Sequence, residues 1–122
     1  MRNEQQGYYT LPNGQKLHMS INAWFELEKD TGLKPQEFLA EFITEGSKKE
    51  PNEFVLLDLL TDLVYAAAKA YNLEEGINEE LNRYKLRNIV VNMGGEGIKD
   101  LNENIISNST LKYGLGKLIP QS

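Results

Sequence analysis

VLLDLLTDLVYAAAKAY, residues 55–71, decides how this chain folds. Leu57, Leu60, Val64, Ala67 and Tyr71 recur at helical spacing and form one apolar stripe. Leu56, Leu59, Leu63, Ala66 and Ala70 form a second. Only Asp58, Asp62, Tyr65 and Lys69 make a polar strip. A helix that is apolar over most of its circumference sits at the centre of a bundle. The spacing predicts this helix from about Pro51 to about Asn72. Its second half carries small side chains that let neighbouring backbones approach closely, within the chain or across an oligomer interface.

Working towards the N-terminus, Pro35 suits the first turn of another helix, PQEFLAEFITE, which Gly46 ends. Phe38, Leu39, Phe42 and Ile43 supply its inner face. Before it, Ser20 or Asn22 can cap a helix INAWFELEKD that stops at Gly32. Ile21, Trp24, Phe25 and Leu27 are expected inside. At the front, YYTLPNGQKLHMS, residues 8–20, reads as a β-hairpin. A two-residue Asn13-Gly14 turn would put Tyr9 and Leu11 on one face with Lys16 and His18. A three-residue loop, Pro12-Asn13-Gly14, instead sets Leu11 against Gln15 and Tyr9 against Leu17, with Met19 next along. A one-residue slip moves every side chain to the other face, so the cleaner separation of apolar from polar selects the three-residue loop. An isolated two-stranded hairpin is marginal in water, so its apolar face must cover a helix. Its backbone edges are left for other pairing.

Towards the C-terminus, Asn78 is expected to cap a fourth helix, EELNRYKLRNIVVNM, with acidic residues in its first turn. Leu81, Tyr84, Ile89, Val90 and Met93 are expected to pack inward, with GGEG as a flexible joint to a fifth helix, IKDLNENIIS. The fold class that results is mainly α: a helical bundle of four to five helices preceded by an N-terminal β-hairpin. Residues 1–107 form one domain. Residues 108–122, NSTLKYGLGKLIPQS, form a flexible or partner-binding tail, with Leu111, Tyr113, Leu115, Leu118 and Ile119 as its anchors.

At 122 residues with 25% charged and 40% hydrophobic content, the chain suits a single soluble core. No apolar run approaches the about 20 residues of a membrane span. MRNEQQGYY contains no apolar signal segment, so a cytoplasmic protein is expected. A net charge of −5 argues against general nucleic-acid binding, which neutralises phosphates. Acidic residues run out at Glu103; beyond it the charges are Lys112 and Lys117. There is no cysteine, and His18 is the only histidine, so thiol catalysis, a catalytic triad and a zinc site lack their usual groups. His18 reads as an exposed residue on a strand's polar face. Asp58 and Asp62 share a helix face but have no nitrogen ligand beside them, and they read as a solvated strip. MGGEGIKD lacks the spacing of a phosphate loop. The expectation is a protein without catalysis, cofactor or metal, acting by contact with other proteins. Tyr8, Tyr9 and Trp24 are its candidate protein-binding aromatics, together with the tail anchors.

LPNGQKLHMS, INAWFELEKDTG and LLTDLVYAAAKAY, in that order over residues 8 to 72, resemble the small tail assembly chaperones of long-tailed bacteriophages and prophages. The shared features are a short β segment, an aromatic helix with a Glu-Lys-x-x-Gly-like stop, and a Leu-rich helix ending in a Tyr-Ala-Ala-like stretch. The region from Gly94 onward has no counterpart in that pattern. The resemblance implies a protein of the bacterial host cytoplasm that binds the tape-measure protein, helps recruit tail-tube subunits and is absent from the finished particle. It also implies homo-oligomerisation, no nucleic-acid or membrane partner, and no catalytic residues. A small structural or adaptor subunit of a phage tail or other complex is the alternative.

Overall fold

The computed structural model describes residues 7–107. The tail and its anchors Leu111, Tyr113, Leu115, Leu118 and Ile119 lie outside the described residues. Two strands, β1 (Tyr8–Thr10) and β2 (Lys16–His18), pair antiparallel with Tyr8 opposite His18, Tyr9 opposite Leu17 and Thr10 opposite Lys16. The Leu11 N–H donates to the Gln15 carbonyl at 2.8 Å, and the Gly14 N–H donates to the Leu11 carbonyl at 2.8 Å. The loop is therefore the three-residue one, with Gly14 at φ 95° as its left-handed residue. Leu11, Leu17 and Met19 are buried, and β2 packs on the long helix, as the hairpin's apolar face requires.

Five helices follow. The first, α1 (Ile21–Thr31), ends in Gly32, whose φ of 79° turns the chain and whose N–H donates to the Glu28 carbonyl. Ala23, Trp24 and Leu27 form its inner stripe. Phe25, expected inside, is 61% exposed, because it is one residue, about 100° of helix, beyond Trp24. The second, α2 (Pro35–Gly46), starts where the Glu37 carboxylate accepts from the Lys34 N–H at 2.8 Å. It buries Phe38 and leaves Ile43 at its rim rather than inside.

The third helix, α3 (Glu53–Glu74), is the axis of the domain. Asn52 caps it by accepting from the Phe54 and Val55 N–H groups, so the helix starts two residues after Pro51. It packs against α1, β2, α2 and the fourth helix. Leu60, Leu63, Val64 and the run Ala66–Ala68 are buried on it. α1 and β2 close onto this small-residue segment, which lies within the chain's own core.

The fourth helix, α4 (Arg83–Asn92), starts four residues later than Asn78 predicts. Asn82 is the residue whose side chain accepts from a helical N–H, that of Lys85, at 3.1 Å. Glu79 and Glu80 consequently lie outside the helix. Leu86 and Val90 form the buried stripe, and Tyr84, expected inside, is 73% exposed. Arg83 and Arg87 also correct the reading of the acidic strip. Arg83 donates to Asp62 and, at 3.0 Å, to Asp58; Arg87 donates to Asp58 at 2.6 Å. The carboxylates of α3 are therefore the seat of α4, not a free solvated strip. Burial raises the Asp62 pKa in spite of Arg83.

Gly94, at φ 79°, makes the turn into α5 (Gly94–Asn102), and Gly95 and Gly97 belong to that helix instead of forming a joint. At Gly97 the absence of a side chain matters, since a Cβ would stand 2.9 Å from the Met93 Cβ. A π-helical turn, Glu103–Ser107, ends the described chain. No helix among the described residues is long and apolar enough to cross a membrane.

Candidate protein-binding groove

The helices do not close around the first half of α3. α2 leans on α1 and α3, whereas α5 leans on α4 and the π-helical turn. Between α2 and α5 runs a groove floored by α3. Its first section, about 340 Å³, is lined by Phe42, Leu57, Leu60, Val91 and Ile98, with Glu53 at its edge. The second, about 560 Å³, is lined by Leu39, Phe42, Ile43, Ile98 and Ile106, with Lys99 and Glu103 at its edge. Phe42, Ile98 and Asn102 belong to both sections, so the groove is continuous. On its wall Ile43 is 67% exposed. Exposed large apolar side chains around an open apolar cleft mark an interaction surface. The Asn102 Oδ1 in this wall is buried without a hydrogen-bond partner among the described residues.

The aromatics singled out from the sequence lie elsewhere. Trp24 is 1% exposed in the core and is unavailable to a partner there; its indole Nε1 has no hydrogen-bond partner among the described residues. Tyr8 and Tyr9 are half-buried on the hairpin. The phenol of Tyr9 is held above its ordinary pKa by burial first and by the Asp100 carboxylate second. The ring of Tyr8 stacks on the imidazole of His18, with centroids 3.8 Å apart and planes 7° from parallel. None of the three lines the groove.

His18 is also better anchored than an exposed strand residue would be. Its Nδ1 lies 2.7 Å from Glu74 Oε1 at the last turn of α3. On the other oxygen, Ser20 Oγ donates at 2.5 Å and Asn22 Nδ2 at 2.9 Å. Burial pushes the Glu74 carboxyl up, but these donors and the His18 imidazole outweigh it and hold the pKa below its ordinary value. The cluster contains a serine, a histidine and a carboxylate without the order of a triad. A serine nucleophile is activated by a histidine that takes its proton; here Ser20 and His18 both address Glu74. What this arrangement does is tie the hairpin and the start of α1 to the end of α3. It also explains why Ser20, at the cap position of α1, makes no side-chain cap.

Among the described residues, no group of three or more His, Asp or Glu side chains is placed to hold a metal ion. The groove residues escape sequence reading because Leu57, Phe42 and Ile98 look like ordinary core positions. The sequence marks α3 as apolar over most of its circumference, which places it centrally but does not show which part stays open. Compared with known proteins, the chain matches no family model, no curated protein and no solved structure.

Proposed function

We propose that this protein is a tail assembly chaperone of a long-tailed bacteriophage or prophage. In this reading it holds the tape-measure protein, and tail-tube subunits around it, during tail assembly in the host cytoplasm, without catalysis. The observation that carries the reading is the open apolar groove between α2 and α5. A long, apolar, aggregation-prone client is kept dispersed by reversible contact with such a surface on an acidic, soluble carrier. The net charge of −5 supplies the carrier's solubility. The order of hairpin, aromatic helix and Leu-rich helix supports the same reading.

The test is retention of a client. The protein, co-expressed with the tape-measure protein and tail-tube protein of its own genome, is expected to keep the tape-measure protein in the soluble fraction and to co-purify with it. Mass spectrometry of purified particles is expected to find the protein missing. Its presence at stoichiometric level would instead identify a small structural or adaptor subunit. An insoluble client, unaffected by the protein, would end the chaperone reading.

A further inference from the structure

The groove opens at the point where the described chain stops. Ile106 lines its second section, and Ser107 is the last described residue. The sequence that follows has the chemistry to fill it. Residues 108–122 carry Leu111, Tyr113, Leu115, Leu118 and Ile119, two lysines and no acidic side chain. Leu111, Tyr113 and Leu115 alternate with Lys112 and Gly114, a pattern that places three apolar groups on one side of an extended chain. The groove offers apolar walls, with Glu53 at one section's edge and Glu103 beside Lys99 at the other's. Residues 108–115, which follow the Ile106 end of the groove directly, reach up to roughly 26 Å when extended. A segment tethered this close to its site acts at an effective concentration near the millimolar range, so modest contacts suffice.

We infer that the groove between α2 and α5 is the docking site of the chain's own segment 108–119, with its leucines and Tyr113 on the apolar floor and its lysines towards Glu53 and Glu103. The segment then competes with any external occupant of the same groove. That consequence rests on the client-binding reading above; the docking itself does not.

The cysteine-free sequence makes the test direct. The full chain is prepared with Leu115→Cys paired with Val91→Cys at the groove. Controls pair Leu115→Cys with Phe25→Cys on α1 or with Thr10→Cys on the hairpin. Phe25 is 61% exposed and Val91 48%, so accessibility does not favour the groove pair. Under mild oxidation the groove pair is expected to close a disulfide at least about tenfold faster than either control, which corresponds to a preference of about 1.4 kcal/mol. The product is expected to be monomeric, with a rate independent of protein concentration. A synthetic peptide of residues 108–122 in excess is expected to slow it. Equal rates at all three positions would overturn the docking. A faster reaction at Thr10 would point to strand addition, and a dimer-sized product to exchange with a second copy; either also overturns it. Client retention is measured separately, so a failed chaperone reading and a failed docking cannot be mistaken for each other.

Discussion

The two halves of α3 are finished differently. Along its C-terminal half, Leu63, Val64 and Ala66–Ala68 are fully buried. Along its N-terminal half, Leu57 looks into an open cleft and Phe54 is 83% exposed. Side-chain size accounts for the contrast. Alanines let the partner elements approach closely, and the hairpin edge is then fastened by the hydrogen bonds to Glu74. At the other half, Leu57 and Leu60 line the cleft together with Phe42 of α2, Val91 of α4 and Ile98 of α5. The C-terminal half of the helix is sealed in the core, whereas the N-terminal half seats α4 on one face and leaves another open to the cleft.

If that division is right, substitutions should sort by which end they touch. The largest effect is expected at Trp24, sealed in the core. Trp24→Ala should lower unfolding free energy by about 3–5 kcal/mol, read from urea denaturation, a large part of the ~5–15 kcal/mol typical of a domain. Glu74→Gln comes next. It weakens three side-chain hydrogen bonds to a carboxylate, and a loss of about 1–3 kcal/mol is expected.

The same variant carries a pH signature. The Glu74 pKa in the fold is below its ordinary value of 4.5. Its contribution is therefore complete above that value and is lost as pH falls through the folded pKa. Removing the carboxylate should flatten the acid side of a stability–pH curve measured between roughly pH 5 and pH 2. An unchanged slope would show that the carboxylate does not hold the hairpin.

Gly14→Val should cost about 1–2 kcal/mol, measured by thermal unfolding. Nothing stands near its missing Cβ, so the cost is purely that of a β-branched residue at φ 95°. The smallest effect on stability is expected at the open end. Ile43→Ser, at a position 67% exposed, should change unfolding free energy by no more than about 0.5 kcal/mol. It should nevertheless reduce retention of a client in the co-purification assay. A large destabilisation there would mean that the groove is a structural seam and would erase the contrast.

What could be read from the sequence follows the same line. The hairpin register was legible because one loop length alone separates Leu11, Leu17 and Met19 from their polar neighbours. The long helix was legible from its two apolar stripes. The start of α4 was not, because Asn78 and Asn82 carry the same capping group; the cap is Asn82, which sets Arg83 over Asp58 and Asp62. Those ion pairs join residues 21 to 29 apart, and the His18–Glu74 contact joins residues 56 apart. No local spacing encodes such contacts. Trp24, taken as a candidate for a partner, was assigned by residue type, which cannot tell a core indole from a surface one. The groove is a space between helices, and a sequence pattern marks side chains rather than the gaps between them.

The bond between Ser20 and Glu74 also orders events in time. A ribosome makes the hairpin early, but the carboxylate that secures it is added more than fifty residues later. Closing so long a loop costs entropy before any contact rewards it. The contact of Ser20 with Glu74 can form only once the last turn of α3 has been made. In synthesis the β segment is made before α3 and can be tied to its last turn only afterwards.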